Sequence, residues 1–173
     1  MIKRNPFILA ALAASCASAP KVDPVRVAIA EIGSKVNRNG PPLADLAVDH
    51  LQDRLVSCSR LIVVERMRLD RIIEEQRPDS SGLGKLSGAD WVVYGAITEV
   101  VYRGEPGQGE LRHIGEVELN LRVIRVEDGR IVFSKGHRGS AEGPPNSIPE
   151  SLLNRATRAA VDKLAGEIVK LAP

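Results

Sequence analysis

The sequence predicts an α+β domain with a single mixed β-sheet sandwiched with about three helices. Three observations lead to this prediction. Short segments with strand-like apolar patterns occur in both halves of the chain, longer segments with apolar residues at helical spacing separate them, and the last strands are joined by a short turn. The resulting order is β-α-β-α-β-β-β-α, which is typical of one sheet covered by helices.

The first half of the chain predicts two strands and two helices. Residues 25–32 alternate well enough to form the first strand, and a loop rich in Gly, Pro and Asn follows. Residues 43–58 have apolar side chains at helical spacing, with Cys58 on the apolar stripe. Residues 61–64 form a short buried strand. A second helix then turns Leu69, Ile72 and Ile73 inward and ends at or before Pro78.

The second half predicts three strands and a final helix. Residues 91–98 are apolar at both even and odd positions, so both faces of this strand are apolar, which favours a central strand. In residues 117–123, apolar and polar side chains alternate, which predicts a half-exposed strand. Asp128-Gly129 predicts a two-residue type I′ turn into a strand over residues 131–134. A capping box of Ser147 and Glu150, with Pro149 in the first turn, opens a helix. Its apolar face carries Leu153, Ala156, Ala160, Leu164 and Ile168.

The first fifteen residues have the pattern of a secretory signal peptide. Lys3 and Arg4 precede an apolar run that is shorter than the roughly 20 residues a membrane helix needs. The small residues that end at Cys16 resemble the lipobox of bacterial lipoproteins, which implies that Cys16 becomes the lipidated first residue. Ordinary cleavage near Ala19 is the alternative. Because Ala17 follows Cys16 where an aspartate would favour inner-membrane retention, the resemblance implies the outer membrane.

The chain is therefore divided into a signal peptide (residues 1–15), a lipidated tether (16–24) and one periplasmic domain (25–173). The tether extends at most about 30 Å at roughly 3.3 Å per residue. If Cys16 carries lipid, Cys58 is left without a disulfide partner. Loss of Lys3 and Arg4 leaves 22 basic residues against 22 acidic ones. This balance argues against nucleic-acid binding.

Three blocks of the sequence resemble a known family. They are SRLIVVERMRLDRIIEEQ (residues 59–76), GADWVVYGAITEV (88–100) and VELNLRVIRVEDGRIVFSKG (117–136). In this order, behind a lipobox, they resemble the curli-secretion channel lipoproteins, the CsgG family. The penicillin-binding-protein activators of LpoB type are similar to the last two blocks. The resemblance implies the fold and the lipid anchor and, because channel members form rings, a possible homo-oligomer.

The chain departs from the channel members where their transmembrane hairpins are inserted. A membrane strand needs about 9 to 11 residues of alternating apolarity. Residues 103–114 and 139–146 occupy the two insertion sites, and both are too short and too polar. The sequence therefore favours the family's fold without its pore.

No catalytic pattern is present in the sequence. The stretch around Gly82 and Lys85 lacks the spacing of a phosphate loop, and no GxSxG motif occurs. His50, His113 and His137 are far apart in the sequence, and Cys58 fits a small buried hydrophobe. We expect no enzyme activity, no cofactor, no metal site and no small-molecule substrate. A catalytic site assembled only by folding is the alternative.

The predicted last hairpin supplies the candidate partner-binding residues. In a two-residue turn, Val126 faces Ile131 and Ile124 faces Phe133, on the side away from Leu119. The last helix could cover these four side chains, a bulge could shift their register, or they form an exposed docking surface for a partner or a second copy. Residues 103–114 are a second place for such contacts.

These features predict an outer-membrane lipoprotein whose periplasmic domain binds another envelope protein, as an accessory to secretion or surface assembly. The alternative is an LpoB-like regulator of a peptidoglycan synthase. The activators of that type rely on a long tether to cross the cell wall, and the tether here is short.

Overall fold

A mixed five-stranded sheet with two helices forms the described part of the protein. The computed structural model describes residues 23–37, 39–64, 88–106 and 111–173. The prediction of an α+β domain with a single mixed sheet is confirmed. The predicted helix with Leu69, Ile72 and Ile73 lies outside the described residues, as do Cys16 and the predicted signal peptide. The elements are β1 (Val25–Ser34), α1 (Gly40–Val56), β2 (Leu61–Val64), β3 (Trp91–Pro106), β4 (Leu111–Arg125), β5 (Ile131–Gly143) and α2 (Pro149–Leu171).

The strand order explains why the sheet is mixed. The order across the sheet is β2-β1-β3-β4-β5, so β1 lies between β2 and β3 and is parallel to both. β3, β4 and β5 form an antiparallel meander. The helix α1 connects the parallel strands β1 and β2, as a parallel pair requires a crossover. β2 and β5 are the two edge strands.

Both helices pack on one face of the sheet. α1 and α2 contact each other, α1 covers β1 and β2, and α2 covers β4 and β5. Alternate residues of the strands point toward them, so the predicted alternation of residues 117–123 is realised on this side. The largest fully buried side chains include Leu51, Leu55, Ile97, Leu119, Leu121, Leu152, Leu153, Leu164 and Ile168. Burial of each such side chain contributes about 1.5 to 3 kcal/mol.

Glycine in β5 permits α2 to lie very close to the sheet. A Cβ atom on Gly139 would stand 1.9 Å from the carbonyl oxygen of Ala156 and 2.7 Å from the amide nitrogen of Ala160. These are backbone atoms of α2, which cannot move independently of the helix. Gly139 is therefore needed for this contact between helix and strand.

The start of α2 differs from the predicted capping box. Ile148, in extended conformation, is the N-cap residue, and no side chain caps the helix. Ser147 lies one residue too early for that role, and its amide donates to the carbonyl of Pro144 at 2.9 Å. Pro149 occupies the first turn as predicted, because a first-turn residue needs no amide donor.

Every strand except β2 extends beyond its predicted bounds, and α1 begins and ends earlier than predicted. β3 continues to Pro106 and β4 begins at Leu111, so most of the polar segment over residues 103–114, which was not predicted to be strand, is paired. Polar residues occupy both faces of this extension, which removes the apolar alternation used to recognise strands. α1 begins at Gly40, after Asn39 at φ 62°, and ends at Val56, so Cys58 lies just beyond it.

The molecule has two poles, which we name the hairpin pole and the arm pole. At the hairpin pole, β1, β2 and β3 begin, β4 turns into β5, and α2 ends. Here the Val25 amide donates to the Arg60 carbonyl at 2.9 Å, and the Arg60 side chain donates to the Ala172 carbonyl at 2.9 Å. At the arm pole, both helices begin and the paired ends of β3 and β4 project. Within the described residues, neither helix combines the length and apolarity needed to cross a membrane.

Candidate partner-binding surfaces

The register of β4 and β5 moves one predicted docking residue into the core. Val123 pairs with Phe133 and Ile124 pairs with Ile131, so Val132 is an extra residue on β5. This bulge returns Phe133 to the helix-facing side, where it is 6% exposed. The expectation that Ile124 faces Phe133 is therefore wrong, and the bulge left open as an alternative is present.

The turn between β4 and β5 is longer than predicted. The Arg125 amide donates to the Arg130 carbonyl at 2.8 Å, so the closing pair encloses residues 126–129. The Gly129 amide donates to the Arg125 carbonyl at 2.9 Å, and Gly129 takes φ 68°. The two-residue type I′ turn is thus wrong, although Gly129 does provide the left-handed conformation that the turn requires. The two additional loop residues accompany the change of register.

Asp90 fastens the turn to the rest of the sheet. Its carbonyl accepts a hydrogen bond from the Val126 amide at 2.9 Å. Its carboxylate accepts from Arg26 three times, from the amide at 2.9 Å, from Nε at 3.2 Å and from a terminal guanidinium nitrogen at 2.9 Å. The hydrogen bonds from the Arg26 side chain lower the pKa of the Asp90 carboxyl. Asp90 was not among the predicted site residues, because no sequence pattern marks a lone aspartate before a strand.

Two of the other predicted residues, Ile124 and Ile131, belong to an apolar row on the face opposite the helices. Registered pairs connect it across all five strands, in the order Val64, Ala28, Val92, Ile124 and Ile131. Ala28 is fully buried, Ile124 is half-buried and Ile131 is 56% exposed. Val126 is half-buried in the turn beyond the row. The four predicted residues therefore do not form one exposed patch, and Ile131 is the member most open to solvent.

Ion pairs hold the projecting part of β3 and β4 at the arm pole. Arg103 contacts Glu105 and Glu116, each at 2.7 Å, and Arg138 of β5 contacts Glu118 at 3.0 Å. The hydrogen bond from Arg103 is the main cause that lowers the pKa of the Glu116 carboxyl. Arg138 also pairs with Glu99. These groups bind one another across neighbouring strands. The paired extension, residues 103–106 of β3 and 111–114 of β4, is therefore a defined structural element, which we call the arm.

Apolar side chains are exposed beside these charges. Leu111 at the start of β4 is 47% exposed and Tyr102 is 36% exposed. The Tyr102 hydroxyl lies 2.5 Å from Nδ1 of His113 and donates to the Ser147 carbonyl at 3.3 Å. These contacts tie the arm to the segment that precedes α2.

A cleft of about 340 Å³ lies beside the arm, between the N-terminal ends of the two helices. Leu43 and Leu153 are buried members of its lining, whereas Ile148 is 67% exposed. No sequence pattern indicated Ile148 as a surface residue, because an apolar N-cap residue has no pattern of its own. The full lining is Asn39, Pro42, Leu43, Ile148, Pro149, Glu150, Leu153 and Asn154.

We compared the amino-acid sequence with models of known protein families, and one model matches. The model described as curli production assembly/transport component CsgG matches residues 30–171, which is most of the chain. The chain belongs to the CsgG family. The family resemblance read from the sequence is thereby confirmed. No curated protein matches the chain.

Solved structures are similar to this CsgG-family chain in fold. A hypothetical protein from Chlamydia trachomatis has a TM-score of 0.56 and 15% identity, covering 83% of this chain and 96% of that one. A lipoprotein from Neisseria meningitidis has a TM-score of 0.51 and 15% identity, with coverages of 83% and 99%. The LpoB C-terminal domain from Escherichia coli is similar at a TM-score of 0.48 and 16% identity, with coverages of 69% and 86%.

The residues considered for chemistry are dispersed over this CsgG-family fold. His50 of α1 contacts Asp162 of α2 at 3.0 Å, His113 contacts Tyr102, and His137 lies in the middle of β5. Cys58 is half-buried against the core, beyond the end of α1 and less enclosed than predicted. Among the described residues, no three His, Cys, Asp or Glu side chains come together to hold a metal ion. The absence of catalysis and of cofactors stays a prediction.

Proposed function

We propose that this chain is a lipid-anchored envelope protein that binds another envelope protein through its arm pole, as an accessory to secretion or surface assembly. The observation that carries the proposal is the position of the exposed apolar residues at that pole. Tyr102 and Leu111 lie on the paired ends of β3 and β4, and Ile148 lines the cleft between the starts of the two helices. Exposed apolar side chains in this place are available to a protein partner.

The proposed anchor is the lipid on Cys16, placed on the periplasmic face of the outer membrane. A lipobox cysteine carries more than one acyl chain in the family that the leader resembles, and two or more chains hold a protein stably on a bilayer. Domain and lipid are then separated by a tether of residues 16–24. This tether limits how far from the membrane the partner can be.

The composition of the arm pole fits a protein partner. Charges of both signs occur there, including a contact of 3.6 Å between Arg112 and Glu142, next to the exposed apolar side chains. Apolar residues surrounded by polar ones are typical of protein interfaces. A standard interface of about 800 Å² per partner would cover both the arm and the cleft. Such a surface acts by binding and needs no catalytic group.

The paired strands support a role without the channel of other family members. β3 and β4 remain in register as far as Pro106 and Leu111, which leaves residues 107–110 to connect them. The resemblance places the first transmembrane hairpin of the channel members at this connection. Four residues are far fewer than the two strands of about 9 to 11 residues that such a hairpin needs.

Affinity capture of the intact lipoprotein from crosslinked envelopes tests the proposal. We expect one reproducible partner protein, lost in a Leu111→Glu, Ile148→Glu double variant and kept in an Ala159→Glu control, which adds charge to an exposed site on α2. A Cys16→Ala variant should leave the membrane fraction. Partner capture that survives the double variant would overturn the arm-pole assignment, and identification of a peptidoglycan synthase would favour the LpoB-like alternative.

A further inference from the structure

The two edge strands of the sheet differ in length. β2 has four residues, whereas β5 has 13 and contains no proline. Among the described residues, main-chain groups of residues 131–141 form hydrogen bonds only within the pairing with β4. Short strands and prolines are common protections of a sheet edge, because unpaired main-chain groups there can bind another strand. The outer edge of β5, where Ser134, Lys135 and Gly136 are exposed, is therefore open to pairing.

A cleft of about 460 Å³ lies between the first half of β5 and the last turns of α2. Its apolar lining comes from Val132, Phe133 and Leu171, of which Leu171 is 40% exposed. Lys135 and Glu167 also line the cleft, and they pair with each other at 2.6 Å. Since this ion pair satisfies both charges, a side chain that enters the cleft meets mainly an apolar surface.

A groove of about 450 Å³ lies on the other face of the same part of β5, the face opposite the helices. A cross-strand row runs through it from Tyr94 of β3 through Arg122 of β4 to Ser134 of β5. Its lining also includes Lys35 and contains no acidic residue. Glu31, the acid in register with Tyr94, lies beyond β3 on β1. No carboxylate of the described residues pairs with Arg122, so the groove favours an acidic side chain.

We propose that β5 pairs with an extended segment of a partner protein in which apolar and acidic side chains alternate. Successive side chains of a strand point to opposite faces, so the apolar set enters the cleft beside α2 and the acidic set lies in the groove that contains Arg122. The added strand stands two strand spacings, about 9.6 Å, from β4. Arginine and glutamate side chains together span this distance, because the residue between them, Ser134, is small.

This mode of binding goes beyond the docking proposed at the arm pole. The strand edge supplies main-chain hydrogen bonds, which contribute affinity for any extended segment. The cleft and the groove select its side chains by their two chemistries, apolar on one face and anionic on the other. Each of the two cavities borders the same stretch of β5, so one segment reaches both.

The charges of β5 argue against a second copy of this chain as the occupant. Residues 131–141 include Lys135, His137 and Arg138 and no acidic residue. Two β5 strands paired with each other bring these basic residues together, and like charges opposite one another destabilise a strand pair. The ion pairs of Lys135 and Arg138 with acids of their own chain reduce this repulsion without reversing its sign. The other edge strand, β2, offers only four residues to such a pairing.

Binding of synthetic peptides to the intact lipoprotein in detergent micelles tests the proposal. The probes are two fluorescein-labelled decapeptides, one with alternating valine and glutamate and one with alternating valine and lysine. Fluorescence anisotropy should show at least about tenfold tighter binding of the valine–glutamate peptide. Arg122→Glu should weaken this binding about fivefold or more, whereas Arg158→Glu, at an exposed site on α2, should leave it unchanged.

Hydrogen exchange separates strand pairing from a purely ionic contact. Binding of the valine–glutamate peptide should slow amide exchange in residues 131–141. Two further peptides carry N-methyl groups on every valine or on every glutamate, which removes the amide donors of one edge or of the other. One of these two should lose binding and the other should keep it.

Several results would overturn the proposal. They are no binding of the valine–glutamate peptide, equal affinity for the valine–lysine peptide, unchanged affinity in Arg122→Glu, and retained binding of both methylated peptides. Protection of residues 131–141 that rises with protein concentration in the absence of peptide would assign the edge to a second copy and would overturn it as well.

Discussion

Phe133 packs opposite Val123 on the helix-facing side of the sheet, because Val132 is an extra residue in β5. This pair makes Phe133 a core residue, while its neighbour Ile131 remains exposed. We predict that Phe133→Ala lowers the free energy of unfolding by about 3 to 5 kcal/mol, as expected when a large buried side chain is deleted. Ile131→Ala should cost less than about 1 kcal/mol. Urea denaturation measures both, and equal effects would contradict the observed register.

A second prediction concerns the contact between α2 and β5. Gly139→Ala should lower the free energy of unfolding by about 2 kcal/mol or more, since the new methyl group meets the backbone of Ala156 at 1.9 Å. Gly166 lies on α2 with nothing within 4 Å of an added Cβ. Gly166→Ala should instead raise stability by about 0.5 to 1 kcal/mol. Thermal unfolding of the two variants would contradict the packing if Gly139→Ala were neutral.

A third prediction follows from the Arg26 and Asp90 pair. Because the hydrogen bonds lower the pKa of Asp90 in the folded protein, the carboxylate stabilises the fold above about pH 4 and loses this effect as the pH falls through the native pKa. The Asp90→Asn variant lacks this titration. Urea midpoints should fall more for the unmodified protein than for the variant between about pH 6 and pH 3. Identical pH dependence in the two proteins would contradict the assigned pair.

The sequence predicted those parts of the fold that depend on local apolar patterns. Leu119 and Leu121 alternate with polar residues in β4, and Leu153 and Leu164 recur at helical spacing in α2, so strand and helix were recognised together with their buried sides. The predicted ends of the strands and helices were less accurate. The arm is stabilised by ion pairs such as Arg103 with Glu116, which depend on two strands having already paired.

The candidate site was harder to predict than the fold for a similar reason. Asp128-Gly129 indicated a turn, but its length depends on the closing pair of Arg125 and Arg130 and on Asp90, which lies far away in the sequence. One extra residue in β5 was enough to move Phe133 to the helix-facing side, while Ile131 stayed on the predicted side. The exposure of Ile148 arises where two helix ends meet, a relationship that local spacing does not contain.

The most direct test of the account is photo-crosslinking in living cells, with a photoreactive amino acid placed at Leu111 of the intact lipoprotein. The account predicts a discrete protein adduct from residue 111, absent when the same amino acid replaces Ala159 on the exposed side of α2. The adduct should also decrease when Ile148→Glu is introduced in the cleft of the same pole. No protein adduct from residue 111, or the same adduct from residues 111 and 159, would contradict a docking surface at the arm pole.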